Sequence, residues 1–331
     1  MKIACLGAGV WGFCLARLLA TKSEHTVTIW SREKELVETL NRTKTHPRLT
    51  KRPINENARF TTNLEETVAT SDLIVEAVTS NGVRSVFEEL HSYLPQVPIV
   101  LASKGIEQNT GLSLPEIVIS IAGEAYRPFV TVLSGPSFAD EVSRNLPTAV
   151  VCGCSSHDTA QRVVDAFATP TFRIYPNADI RGVAFGGALK NIVAIACGIS
   201  DGLEMGTGAK AALMTRGLHE ITRLARFQGC QAETLYGLSG MGDLFLTCSP
   251  QSRNYRFGVL LSKGKSAEEA KKEIGMVVEG AYTCISALQL SKPLNIAMPI
   301  TEAVSAIITG SLTPQDAVSA LMQRSIKEER L

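Results

Sequence analysis

Apolar residues gather in short runs through the first half of the chain. "KIACLGAG", "TVTIWSR", "DLIVEAVTS", "PIVLASKG", "FVTVLSG" and "TAVVCGC" are nearly continuous rather than amphipathic, and turn-forming or charged residues follow each closely. Runs of this length and composition read as buried strands. Between several of them lie helical patterns, as in "EKELVETLNR" and "RSVFEELHSYL". Strand and helix in alternation predict a parallel sheet with helices on both faces. After about residue 178 the strand pattern stops. "GVAFGGALKNIVAIACGIS", "KAALMTRGLHEITRLARFQG", "YRFGVLLSKG", "SAEEAKKEIG" and "TCISALQLSK" read as helices broken by Gly or Pro. Pro299 opens a further helix, and Thr313 caps the last, with Pro314 at its first position. The pattern therefore predicts an α/β domain over residues 1–178 and an all-α domain over 179–331.

The first run leads into Gly7-x-Gly9-x-x-Gly12. The motif alone is weak evidence, but here it follows a strand and opens a helix, which is its confirming context. Gly7 permits the tight turn, Gly9 lets backbone approach a pyrophosphate, and Gly12 lets helix and strand pack closely. The helix N-terminus then offers amides and a positive dipole end to phosphate. This makes the first domain a Rossmann-type, NAD(P)-binding domain. The residue 20 positions beyond Gly12 is Arg32, where an acid would suit the ribose hydroxyl of NAD. A guanidinium suits a 2′-phosphate, so NADP is favoured over NAD.

Composition narrows the picture by exclusion. The formal net charge is +1, which favours neither nucleic acid nor an anionic membrane. The 8 cysteines are scattered with no C-x-x-C pair, so no metal site or disulfide framework follows, and buried thiols in a reducing cytoplasm are expected. "MKIACLGAG" reads as a strand entering a turn rather than as a leader. The apolar span 182–199 is interrupted by Lys190 and Asn191 and reads as a core helix rather than a membrane span. "TKTHPRLTKRP", residues 43–53, reads as a solvated basic loop that can reach an anionic part of a ligand.

The polar pair in that core helix is the chemical anomaly. At helical spacing Lys190 shares its face with Gly186, Gly187, Val193, Ala194 and Cys197, mostly small residues, which leaves room for a ligand against the backbone. A buried ammonium needs a partner or loses its proton, and either outcome suits proton transfer. The alternative is a structural Lys–carboxylate pair. Asp243, in "GLSGMGDLFLTC", is the carboxylate to pair with it, as a site group or else as a helix N-cap. Ser252, Arg253 and Asn254 form a polar cluster just before a helical pattern, suited to phosphate or to plain capping.

Taken together, "GAGVWG", "SKGIE", "LSGPSFADEV", "GGALKNIVAIACGISDG", "TRGLHE", "GMGDLFLTC", "SRNYRFG" and "GMVVEG" resemble the NAD(P)-dependent glycerol-3-phosphate dehydrogenases of bacterial type, in order and over nearly the whole chain. The resemblance implies reversible reduction of dihydroxyacetone phosphate to sn-glycerol 3-phosphate, feeding phospholipid synthesis, by a cytoplasmic homodimer. It implies Lys190 as the proton donor and acceptor. Substrate contacts are implied for Lys104, Gly135, Ser137, Asp243, Ser252, Arg253 and Asn254. Cofactor contacts are implied for Val10, Trp11, Arg32, Lys104, Ala139, Arg253, Val277 and Glu279, beside the three glycines. No metal is implied.

The chain departs from the family pattern near the cofactor. Val10 stands where Ser is usual, "FCLA" replaces "TALA", Thr79 stands where proline is common, and the 43–53 loop is unlike the usual one. Two other readings compete: a β-hydroxyacid dehydrogenase, whose substrates carry a carboxylate instead of a phosphate, and an NAD(P)H-sensing module without turnover.

Overall fold

In β1 (Lys2–Leu6) every residue after Lys2 is buried, and in β4 (Leu73–Glu76) all four are. Continuous burial of this kind requires both faces of a sheet to be covered. The computed structural model, which describes residues 1–49, 51–326 and 328, provides that cover. The remaining strands are β2 (Thr26–Trp30), β3 (Ala58–Thr61), β5 (Ile99–Leu101), β6 (Val130–Ser134), β7 (Thr148–Cys154) and β8 (Phe172–Asn177). They form one sheet in the order β3-β2-β1-β4-β5-β6-β7-β8. The first six pair in parallel in the doubly wound order that binds dinucleotides. The expectation of a wholly parallel sheet is corrected at one point: β6 and β7 are antiparallel, and β8 then runs parallel to β7.

Helices α1 (Val10–Leu19), α2 (Lys34–Thr43), α3 (Leu64–Val68), α4 (Val83–Leu90), α5 (Leu114–Ala122), α6 (Ala139–Ser143) and α7 (His157–Phe167) accompany the sheet. Beyond it come α8 (Ile180–Gly202), α9 (Gly206–Phe227), α10 (Ala232–Tyr236), α11 (Asp243–Thr247), α12 (Arg253–Ser262), α13 (Ala267–Ile274), α14 (Glu279–Ser291), α15 (Pro299–Ile308) and α16 (Pro314–Met322). Pro299 and Pro314 open their helices, and the Thr313 side chain accepts from Asp316 N, as the capping pattern predicts.

The chain divides into two compact units. One comprises residues 1–104 and 113–184, the other 105–112 and 185–331. The excursion of 105–112 into the second unit has no counterpart in the sequence pattern. The first unit is built on the sheet, with a core that includes Phe13, Leu15, Val27, Ile29, Val75 and Phe167. The second is built around α8, whose Leu189, Ile192, Ile195 and Ile199 are buried among side chains of helices α9 to α15. By length and composition α8 is apolar enough to cross a membrane, but 94% of its most apolar window is buried, as in a core helix.

Candidate active site

In the first unit the glycine loop is shaped by contacts that no side chain could share. Gly7 has φ +110°, and a Cβ there would lie 2.6 Å from the Ala77 carbonyl oxygen. A Cβ on Gly12 would lie 2.0 Å from the Gly7 carbonyl oxygen. At Gly9 a Cβ would meet nothing within 4 Å, so the open side of the loop faces space. Gly9 also begins α1 without a side-chain cap, leaving its first amides for a ligand. These features fit the pyrophosphate of a dinucleotide.

Around the loop, Trp11 Nε1 donates to Ala102 O at 3.2 Å and Cys14 Sγ donates to Ala139 O at 3.3 Å. Val10 is half-buried against the core of this unit. Arg32 is exposed, donates to Glu89 Oε2 at 3.3 Å, and lies 5.6 Å from the centre of the Trp30 ring. An exposed pair of this kind contributes at most about 1 kcal/mol, so a ligand phosphate can compete for the guanidinium.

The 43–53 loop is less solvated than its composition suggests. His46 and Leu49 are buried. The His46 ring packs on Phe13 at 5.6 Å, and Phe13 stacks on Phe60 at 6.1 Å. Burial, and then the charge of Arg48, push the His46 imidazole below its usual range. Phe13, one of the departures in "FCLA", is thus the anchor of this loop, while Arg48 and Lys51 remain exposed.

At the C-terminal ends of β5 and β6 three residues implied in substrate binding meet. Lys104 Nζ donates to Gly135 O at 3.5 Å, and Ser137 Oγ donates to the same oxygen at 3.2 Å. Gly135 has φ +154°, and a Cβ would come within 2.8 Å of Val150 Cα, so the turn admits only glycine.

In the second unit Lys190 is buried in the middle of α8, and the partner is the one its sequence context suggested. Its Nζ lies 2.8 Å from Asp243 Oδ1, with side-chain exposures of 8% and 3%. It also donates to Thr247 Oγ1 at 2.5 Å. Thr247 Oγ1 in turn lies 2.6 Å from Asp243 O and 3.3 Å from its Oδ1. Asp243 is thus the partner of Lys190 rather than a helix cap; Gly242 occupies the cap position of α11. Two partners fix an ammonium that would otherwise reach for water.

Two glycines of α8 give room to neighbouring backbone. A Cβ on Gly186 would lie 2.9 Å from Ser239 O, and one on Gly198 would lie 2.0 Å from Tyr255 O. They let the backbone before α11 and the backbone of α12 approach α8. The approach at Gly186 brings the chain leading into Asp243 and Thr247 toward α8.

Ser252 caps α12, its Oγ accepting from Tyr255 N at 3.4 Å. Arg253 follows at the first helical position, half-buried, with no hydrogen bond or ion pair among the described residues. Asn254 is buried, and its Oδ1 accepts from Gly280 N at 2.9 Å. That bond ties the start of α12 to the start of α14, where Val277 is exposed and Glu279 opens the helix.

The comparisons with known proteins agree along the whole chain. Residues 2–160 match the model of the NAD-dependent glycerol-3-phosphate dehydrogenase N-terminus, and residues 179–319 match that of its C-terminus. A glycerol-3-phosphate dehydrogenase [NAD(P)+] of Protochlamydia amoebophila is 58% identical, over 100% of this chain and 99% of that protein. The corresponding protein of Chlamydia caviae is 50% identical over the same shares. A crystal structure of glycerol-3-phosphate dehydrogenase from Coxiella burnetii superposes with a TM-score of 0.92 at 38% identity, covering 98% of this chain and 99% of that one.

The chain belongs to the NAD-dependent glycerol-3-phosphate dehydrogenase family.

Membership in the glycerol-3-phosphate dehydrogenase family sets the reaction class, an oxidoreduction with NAD or NADP, and sets aside the sensing module and the β-hydroxyacid dehydrogenase. Two further residues stand beside these groups. Thr247 stands four residues after Asp243, one helical turn on, so the spacing already placed its hydroxyl beside the carboxylate. Glu76 was passed over as part of an apolar run, yet it is fully buried at the end of β4, close to the glycine loop.

Proposed function

We propose that the chain reduces dihydroxyacetone phosphate reversibly to sn-glycerol 3-phosphate, with Lys190 as the proton donor. The observation that carries this assignment is the buried ammonium held by Asp243 at 2.8 Å and Thr247 at 2.5 Å. When bound, NAD(P)H supplies the hydride. As C2 is reduced, negative charge develops on its oxygen. The Lys190 ammonium stabilises that charge and gives up a proton; in the oxidation direction the neutral amine takes the proton from the alcohol. Asp243 and Thr247 keep Nζ at a fixed point, so no reorganisation is needed when the charge appears. Arg253, a guanidinium at a helix N-terminus, takes the substrate phosphate, with Ser252 and Asn254 beside it. Phosphate binding remote from the reacting carbon then orients C2. Lys104, Gly135 and Ser137 are further substrate contacts in this reading.

For the cofactor we assign Gly7, Gly9, Val10, Trp11 and Gly12 to the pyrophosphate region. Arg32 recognises a 2′-phosphate, making NADP the preferred form. Lys104, Ala139, Arg253, Val277 and Glu279 complete the cofactor set. The reading includes a cytoplasmic homodimer without membrane insertion; sedimentation of the purified chain tests the dimer.

The experiment is to follow NADPH, and separately NADH, on adding dihydroxyacetone phosphate or a 3-keto acid without phosphate. Turnover with the phosphate compound alone is expected. Turnover with the keto acid alone would overturn the substrate assignment.

A further inference from the structure

Glu76 closes β4 with its side chain completely buried. Its register partners across the sheet are Leu101 on β5 and, beyond it, Val132 on β6. All three share one face of the sheet, as does Ile74 two residues earlier. A carboxylate in such a row is costly unless its hydrogen bonds repay the loss of water. Two are defined. Glu76 Oε1 accepts from Val78 N at 2.8 Å and from Ser103 Oγ at 2.7 Å. Ser103 Oγ also lies 2.5 Å from Val78 O. The chain leaving β4 and the chain leaving β5 are thereby fastened together by one side chain.

Both fastened segments border groups with assigned roles. Ala77 and Val78 form the wall under the glycine loop: a Cβ on Gly7 would lie 2.6 Å from Ala77 O and 3.0 Å from Val78 N. Any shift of this wall moves the loop that approaches the pyrophosphate. Ser103 directly precedes Lys104, whose Nζ reaches Gly135 O at 3.5 Å. Neither bond of Glu76 is required by the sheet ladder, which the β4–β5 register already completes.

We propose that Glu76 is a positioning residue that sets both the floor of the glycine loop and the reach of Lys104. The second half of this statement rests on the substrate role proposed for Lys104; the first does not. The carboxylate acts through its acceptor oxygen, so an amide oxygen in its place retains the function, and an apolar side chain of similar size loses it.

The test compares Glu76→Leu and Glu76→Gln in the full chain. NADPH affinity is read by fluorescence titration, and KM and kcat for dihydroxyacetone phosphate by NADPH oxidation. Glu76→Leu is expected to weaken NADPH about tenfold, the loss of about one net hydrogen bond, and to raise KM by a similar factor with a smaller change in kcat. Glu76→Gln is expected to restore both constants to within about threefold. A folded Glu76→Leu protein with unaltered NADPH affinity and KM would overturn the proposal. So would a Gln variant as impaired as the Leu variant. If Glu76→Leu does not fold, Ser103→Ala removes the hydroxyl that contacts both Glu76 Oε1 and Val78 O and is expected to weaken NADPH about threefold; unchanged affinity there overturns the proposal. NADPH affinity is measured without substrate, so the outcome stands apart from whether dihydroxyacetone phosphate is turned over.

Discussion

Replacing Thr247 by valine removes one hydroxyl and keeps the shape of the side chain. In the structure that hydroxyl is 2.5 Å from Lys190 Nζ and bridges it to Asp243. A hydrogen bond to a charged group contributes about 1.5–3 kcal/mol. Asp243 still holds Nζ at 2.8 Å in the variant, so the lysine stays charged and in the core. What is lost is the second point that fixes its direction. If the lost energy falls wholly on the transition state, kcat drops by roughly 10- to 150-fold at about 1.4 kcal/mol per decade. KM changes little, because Thr247 contacts the proton donor rather than the phosphate. Steady-state oxidation of NADPH with saturating dihydroxyacetone phosphate measures the effect. Thr247→Ser retains the hydroxyl and is expected to recover most of the rate. A Thr247→Val enzyme with undiminished kcat would refute the reasoning, and a serine variant as slow as the valine one would show that packing, not the hydroxyl, is at stake.

Other outcomes follow from the same structure. Arg253→Ala is expected to raise KM for dihydroxyacetone phosphate by roughly 100-fold, the worth of a charge-assisted contact, with Arg253→Lys recovering only part; initial rates decide, and an unchanged KM contradicts the phosphate role. Gly12→Ala places a methyl 2.0 Å from Gly7 O, so NADPH binding by titration is expected to fall below detection; retained affinity would show that the loop can give way. Burial depresses the His46 imidazole below the ordinary 6.5, so the unfolded chain binds a proton that the folded chain resists. Stability from this group is complete above pH 6.5 and is lost as pH falls through that value toward the depressed one. His46→Phe is expected to flatten the fall in Tm between pH 7 and 5, read by thermal melts; an identical slope would remove His46 from the account.

Much of the fold was legible because burial is written in local pattern. All six continuous apolar runs became strands, since a strand covered on both faces has no polar side to show. β8 was missed for the opposite reason. Its "TFRIYPN" alternates, with Phe172 and Ile174 buried and Arg173 and Tyr175 exposed, so it has no continuous run. The short edge strand β3 carries Arg59 in its middle and offers as little signal. The reversal at β7 depends on the connection through α6, which composition does not encode. Lys190 and Asp243 stood out because a charge in an apolar helix requires a partner. Thr247 did not, because a threonine in a helix is unremarked until its neighbour is known to be an ammonium. At Gly186, one of the small residues beside Lys190, the missing side chain gives room to a neighbouring backbone. The basic loop also hid its anchor: His46 and Leu49 lie near charged residues in sequence, yet both are buried.

The most direct measurement is the kcat of Lys190→Ala for NADPH-dependent reduction of dihydroxyacetone phosphate, taken beside its NADPH affinity. With the ammonium gone and the cofactor still bound, kcat is expected to fall by roughly 10²- to 10⁴-fold, the usual worth of a general acid. A folded variant that binds NADPH and turns over at the wild-type rate would contradict the assignment of Lys190 as the proton donor.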